Sequence, residues 1–312
     1  MAKIAIALGG NALGNDPKSE KEAVLLPAKQ IVKLIKKGHD VIVGHGNGPQ
    51  VGVIYNAFNK ANRVDNSIPM IPFAESVAMS EGYIGYHIEV ALANELKKAN
   101  ISKNVIYILT QTLVDKNDKA FSNPTKPVGV TYKTLEEAIK MSDEGSKFVE
   151  IPTKGFRKVV PSPKPINFLS IETIKSLFNQ KELVIVGGGG GIPTIVDENG
   201  NYQGVDGVID KDYVMSKIAA LIDANILVIL TNVENVYVNF NKMNQKCLGK
   251  VTISELDKYI AEKQFSAGSM LPKVEAAINF VKSGDNRKAI IAKLENLSSA
   301  IDEQSGTIIV KG

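Results

Sequence analysis

Three times along this chain a short apolar run ends in glycine. Residues 3–8 run into Gly9 and Gly10, followed by Asn11 and Ala12; residues 41–43 run into Gly44-His45-Gly46-Asn47-Gly48-Pro49-Gln50-Val51-Gly52; residues 183–186 run into five consecutive glycines, 187–191. Apolar runs of this length, bounded by turn residues, fit buried strands. Glycine at a strand exit lets the backbone come close to a ligand and point its N–H groups at an anion, and a helix starting just beyond adds the positive end of its dipole. One such cluster reads equally well as a tight strand-to-helix turn. Three of them point to a shared binding crevice. A helix with Pro27 near its start and Gly38 at its stop separates the first two runs, and strand, helix, strand with glycine exits predicts a parallel sheet in an α/β fold.

The rest of the chain repeats this alternation with one interruption. Helices are predicted over 50–62 and 74–98; Met79, Tyr83, Tyr86 and Val90 recur at helical spacing as a core-facing or subunit-facing stripe, with His87 beside it as a packing histidine. Residues 105–114 read as one longer strand. Over 115–167 the elements shorten and prolines multiply: Thr134 to Glu137 reads as a capping box, and residues 147–151 and 156–160 flank 153–155 like a hairpin. This segment is expected to protrude from the sheet as a small subdomain, a plausible lid. Beyond it come a helix over 171–178, a strand over 183–186, a small hairpin around Asn199-Gly200 and a helix N-capped by Asp210. A strand over 226–230, a helix capped by Ser254, a helix opened by Pro272 and stopped by Gly284, and strands over 289–291 and 307–310 complete an open sheet covered on both faces.

Composition removes several function classes. Cys247 is the only cysteine among 312 residues, so no intramolecular disulfide can form and a cytoplasmic location is the default expectation. The apolar run 4–8 is too short for a signal-peptide core, and no later run approaches membrane length. A net charge of +4 comes from scattered lysines without a basic block, which argues against nucleic acid as a partner. His39, His45 and His87 lie in no grouping with metal-ligand spacing, so no protein-held metal is expected. The only Gly-Lys pair, Gly249-Lys250, is followed by Val251 and has Asn244 where a phosphate loop needs its first glycine. A dinucleotide fingerprint fails at Pro49 and again at Ile192. What remains is glycine loops with lysines beside them. Lys126 is held between Pro124 and Pro127, Lys211 lies between Asp210 and Asp212, and Lys273 follows Pro272 at a helix start. Each alone reads as a surface charge. Lys211 between carboxylates is either a local ion pair or a cation held in register, and Lys273 sits where the helix dipole disfavours a cation unless an anion joins it.

Taken together and in order, Gly9-Gly10-Asn11-Ala12, the stretch from Gly44 to Gly52, Pro124-Thr125-Lys126-Pro127, the glycine run ending in Ile192-Pro193, Asp210-Lys211-Asp212, and Met270 to Ala276 resemble the carbamate kinases of the amino acid kinase family over essentially the whole chain. The resemblance implies an α/β/α three-layer sandwich with a mainly parallel open sheet, forming a single domain over 1–312. Its N-terminal lobe, 1–182, would hold carbamate or carbamoyl phosphate and include the protruding segment 115–167; its C-terminal lobe, 183–312, would hold the nucleotide. It further implies a homodimer and reversible phosphoryl transfer between carbamoyl phosphate and ADP, giving ATP and carbamate, with Mg2+ bound to the nucleotide. Carried over by position, Gly9, Gly10 and Asn11 would border the phosphoryl path, and Gly46, Asn47 and Gly48 the carbamoyl end. Lys126 would reach in from the protruding segment; Lys211 and Lys273 would meet phosphates, with Asp212 orienting them. Gly188, Gly189, Asn232, Val236, Tyr237 and Met270 would serve the nucleotide, Tyr237 near the adenine. Ala74 departs from the acidic residue expected in relatives, and His45 is left between loop packing and substrate contact, with packing favoured.

Overall fold

Strand Lys3–Leu8 lies inside an eight-stranded sheet with the order Lys250–Thr252, Thr307–Val310, Lys288–Lys293, Ile226–Thr231, Lys3–Leu8, Asp40–His45, Leu183–Val186 and Val105–Tyr107. The structure, a computed structural model, describes residues 1–9, 13–14, 16–142, 145–151 and 153–312. Every neighbouring pair of strands in this sheet is parallel except Lys288–Lys293 with Thr307–Val310. The chain is thus an α/β protein with a large, mostly parallel sheet.

The period-two alternation of a strand decides which residues meet which helix layer. In the first strand Ile4, Ile6 and Leu8 face the layer of helices Leu25–Lys36 and Phe73–Lys98, while Ala5 and Ala7 face the layer of Ile171–Asn179, Lys211–Leu221 and Met270–Lys282. Small residues on that second face let helix Lys211–Leu221 come close. At Gly44 a Cβ would lie 2.1 Å from the Met215 sulfur, so only glycine admits the helix there. This approach carries the N-terminus of that helix to the exit of strand Asp40–His45, where the second glycine cluster begins.

Three smaller sheets complete the fold. Tyr202–Gly204, Ile192–Val196, Gln111–Val114 and Pro165–Phe168 form a four-stranded sheet; Lys126–Tyr132, Gly155–Val160 and Lys147–Ile151 form a three-stranded one; Val236–Val238 pairs with Lys246–Leu248. The hairpin around residues 153–155 has the expected antiparallel pairing. Thr134 caps helix Leu135–Lys140 by accepting the Glu137 N–H.

Three expectations change. Residues 105–114 form two strands in different sheets, because the Thr110 hydroxyl donates to the Ile108 carbonyl and accepts the Gly187 N–H, drawing the chain out of the main sheet. The helix expected to start at Ser254 is capped by Thr252, whose hydroxyl accepts the Glu255 N–H while Glu255 accepts the Thr252 N–H. Of the two alternatives for the stripe of helix Phe73–Lys98 the core-facing one falls, since Met79, Tyr86 and Val90 are exposed and the buried face carries Val77, Ile84, Ile88 and Leu92. Ala74 is buried, with Gly204 of the small hairpin beside it. Among the described residues, no helix is long and apolar enough to cross a membrane.

Candidate active site

The carboxylate of Asp212 organises the polar floor of a cleft of about 390 Å3. Asp210 ends the loop before helix Lys211–Leu221 and caps it, its Oδ1 accepting the Asp212 N–H at 3.0 Å. That cap fixes Asp212 in the first turn, where a carboxylate suits the helix dipole. Lys211 Nζ donates to Asp212 Oδ1, and Lys273 Nζ, from the first turn of helix Met270–Lys282, donates to Oδ2 at 2.8 Å. Asp212 is therefore the anion that makes a cation tolerable at the start of that second helix. Lys126, the first residue of the three-stranded sheet, reaches Asp210 Oδ2 at 3.0 Å.

Burial and charge oppose each other in this cluster. Burial raises the Asp212 carboxyl, but Lys211 and Lys273 outweigh it and hold the group at about 2. Burial and the like charge of Lys273 lower Lys211, while Asp212 and Asp210 pull it back up. Arg157 lines the same cleft, so four cations face two carboxylates there and the cleft keeps a positive excess suited to an anion.

Two of the three glycine loops meet at this cleft, and Gly9 of the first lies in a second one, so the expected crevice shared by all three is not formed by the described residues. Gly46, Asn47, Gly48 and Gly189 line the Asp212 cleft together with Lys126, Lys211, Asp212 and Lys273. Four glycines of the five-glycine turn, Gly187, Gly189, Gly190 and Gly191, have positive φ. The fifth, Gly188, has no room for a side chain: a Cβ there would lie 2.6 Å from Glu81 Cγ and 2.7 Å from His45 Nε2. Gly188 and Gly189, expected on the nucleotide side, thus sit against His45 and Asn47. His45 is fully buried, its Nδ1 2.7 Å from the Gly46 carbonyl and its Nε2 without a partner among the described residues, and burial lowers it to about 4. Asn47 lines the cleft, and its Nδ2 is buried against Gly189 with no hydrogen-bond partner among the described residues.

The remaining expected positions lie elsewhere. Gly9 and Asn232 line a second cleft of about 410 Å3 at the exits of strands Lys3–Leu8, Ile226–Thr231 and Lys288–Lys293. Val236 is packed in the core and donates its N–H to the Thr307 hydroxyl at 2.8 Å. Tyr237 pairs with Cys247 across two strands, and its ring lies 6.0 Å from that of Phe240. Met270 opens its helix and packs against the core. Gly10 and Asn11 lie outside the described residues.

Two polar side chains at this site escaped the sequence reading. Arg157 Nη2 donates to the Gly129 carbonyl at 3.0 Å, while its Nε is buried without a partner among the described residues. A signal existed, since Arg157 is one of only three arginines in a lysine-dominated chain. Glu81, mid-helix and flanked by Ser80 and Gly82, gave none.

Residues 2–293 match the model of the amino acid kinase family. The chain is 54% identical to a carbamate kinase-like protein of Mycoplasma pneumoniae over 311 residues, and 48% identical to a carbamate kinase of Staphylococcus haemolyticus over 311 residues, each comparison covering 100% of both chains. The structure is similar to that of the Giardia lamblia carbamate kinase bound to AMP-PNP, with a TM-score of 0.92, 38% identity, and coverage of 100% of this chain and 99% of that one.

Proposed function

The chain belongs to the amino acid kinase family, and from that premise we propose that it is a carbamate kinase, transferring a phosphoryl group reversibly between carbamoyl phosphate and ADP to give carbamate and ATP. The observation that carries this reading is the convergence of Lys211 and Lys273 on buried Asp212, with Lys126 on neighbouring Asp210, around one glycine-walled cleft.

In the ATP-forming direction a β-phosphate oxygen of ADP attacks the phosphorus of carbamoyl phosphate. The new P–O bond forms as the bond to the carbamoyl oxygen breaks, and carbamate leaves as an anion. In reverse, carbamate is already an anionic nucleophile. No proton has to move at the reacting atoms in either direction, so the absence of a general base at Asp212 costs nothing. Such a transfer needs in-line positioning and neutralisation of charge on the equatorial oxygens. In this reading Lys211 and Lys273 leave Asp212 in part to meet the transferring phosphoryl group, and Asp212 holds them charged and aligned meanwhile. Lys126 meets carbamoyl phosphate from the three-stranded sheet. Gly46, Gly48 and the Asn47 amide bind the carbamoyl end, with Gly189 behind Asn47. Gly9, Gly10 and Asn11 border the phosphoryl path, and Asn232, Val236, Tyr237 and Met270 serve the nucleotide.

In this reading Mg2+ would come bound to the nucleotide, and no residue of this chain would have to hold it alone. Among the described residues no cluster of three or more His, Cys, Asp or Glu could hold a metal ion, and Asp210 and Asp212 are occupied by lysines. Phosphate oxygens would be its main ligands, and it would offset their charge. The lobes 1–182 and 183–312, with 115–167 over the cleft, a homodimer built on the exposed stripe of helix Phe73–Lys98, a cytoplasmic location and ATP formation during arginine breakdown belong to the same reading.

The test is a coupled assay of ATP formation from ADP and carbamoyl phosphate, run beside acetyl phosphate and beside ATP-driven phosphorylation of glutamate and acetylglutamate. ATP from carbamoyl phosphate far above the other activities is expected. No ATP from carbamoyl phosphate overturns the reading.

A further inference from the structure

Helix Phe73–Lys98 carries a carboxyl group that no step above uses. Glu81 is fully buried, on the helix face that also buries Val77, Ile84 and Ile88. Its carboxyl meets backbone donors from two different segments. The Thr110 N–H lies 3.3 Å from each oxygen, and the Gly188 N–H donates to it as well. One side chain thereby ties the exit of strand Val105–Tyr107 to the second residue of the five-glycine turn. Thr110 adds a parallel tie, its hydroxyl accepting the Gly187 N–H at 2.8 Å, and Thr112 holds the far end of the turn by donating to the Gly190 carbonyl at 2.8 Å.

The turn passes this constraint to the cleft through Gly189. A Cβ on Gly189 would lie 2.6 Å from Asn47 Cβ and 2.9 Å from Asn47 Nδ2, so the Asn47 side chain rests directly on the turn. The groups facing Glu81 from the other packed elements are His45 and Tyr107. The Tyr107 ring occupies the space that a Cβ on Gly85 would take, one helical turn beyond Glu81, and its hydroxyl is buried without a partner among the described residues. Burial raises the Glu81 carboxyl well above the usual carboxylate range, against the pull of the Thr110 and Gly188 N–H groups, and burial lowers His45 to about 4.

We propose that Glu81 is a positioning residue of this reaction: by clamping Thr110 and Gly188 it fixes the five-glycine turn behind Asn47 and so sets where the carbamoyl end of the substrate is held. The kinetic part rests on the carbamate kinase reading; the clamp itself does not. An amide keeps the planar shape of the carboxyl group and one carbonyl acceptor, so glutamine retains a partner for the clamped N–H groups. Leucine fills similar space but leaves two buried N–H groups unpaired.

Glu81→Gln and Glu81→Leu are assayed beside wild type with ADP and carbamoyl phosphate varied separately, and hydrogen exchange is followed over residues 186–192. Glu81→Leu is expected to lose about tenfold or more in kcat, with KM for carbamoyl phosphate raised and KM for ADP within about twofold, and to exchange faster in that segment. Glu81→Gln is expected to restore both rate and protection. Gly189→Ala leaves Glu81 in place, presses on Asn47 directly, and should give the same split between the two KM values; it and Glu81→Gln decide the matter if Glu81→Leu does not fold. A folded Glu81→Leu with wild-type kinetics, a Glu81→Gln as impaired as the leucine variant, or parallel rises in both KM values would each overturn the proposal. A wild-type protein that makes no ATP from carbamoyl phosphate overturns the activity reading instead, and the exchange comparison still decides the clamp.

Discussion

At the scale of the residue, Asp212 explains why lysines crowd a site that must receive anions. Without a counter-charge, Lys211 and Lys273 would repel each other in a setting that already disfavours the charged form of Lys211. Asp212→Asn is expected to cost about 3 kcal/mol of stability, because it leaves a mostly buried cation pair uncompensated. The sign of the pH effect follows from the depressed carboxyl. A free aspartate titrates near 3.9 and this one at about 2, so its contribution is fully present above about pH 4 and is lost as pH falls toward 2. Acid denaturation curves of wild type and Asp212→Asn should therefore converge over that window. Lys211→Ala and Lys126→Ala are each expected to lower turnover by roughly 10²–10³ while near-wild-type circular dichroism shows the fold intact. A variant that kept wild-type turnover would lose its assigned role.

At the scale of the element, small local chemistry decides where helices begin and how close they come. Thr252, two residues upstream of the expected cap, starts helix Ile253–Ala261 in a capping pair with Glu255. Thr252→Ala should cost about 1 kcal/mol in urea denaturation, and Ser254→Ala close to nothing; the reverse order would restore Ser254 as the cap. The three-stranded sheet that carries Lys126 and Arg157 docks on helix Gln50–Val64 through glycine on both sides. A Cβ on Gly52 would lie 2.5 Å from Gly129 Cα, and Gly129 sits at a bulge with φ +69°. Gly52, the last glycine of the stretch from Gly44, thus serves helix-to-sheet contact, while Gly46 and Gly48 of the same stretch line the cleft.

At the scale of the whole molecule, the outer face of helix Phe73–Lys98 is the feature that a single chain leaves unexplained. Met79, Tyr86 and Val90 are exposed there, with Val53 of the neighbouring helix, and Met79 and Tyr83 border an apolar groove with Val53, Ile54 and Phe58. A contiguous apolar face of this kind suits a partner surface, and the homodimer proposed above would cover it. Tyr86→Glu is expected to move the protein from dimer to monomer in sedimentation velocity at micromolar concentration. A wild-type monomer, or a variant that stays dimeric, would assign the interface to another face.

Much of this protein was legible before any fold was known, because its information is local. A strand that ends in glycine, an aspartate before a helix and a lysine between prolines each state their conformation within a few residues, and they led to the parallel sheet, the Asp210 cap and the three lysines. Tertiary structure alone decided the rest. Lys273 and Lys211 share Asp212 across 61 residues of chain, a pairing that no spacing announces. The apolar run through 105–114 is interrupted only by Thr110, Gln111 and Thr112, which a strand tolerates, and that interruption does not announce that the hydrogen bonds of Thr110 divide the run between two sheets. Glu81 lies mid-helix, where sequence suggests a solvated charge; only the approach of the five-glycine turn, possible because no side chain stands in the way, makes it a buried clamp. Sequence determined which backbone could bend and where charge was carried, since those are properties of single residues and their neighbours. Which charges meet, and which loops rest on each other, depended on contacts between segments far apart in the chain, and those exist only once the sheet has formed.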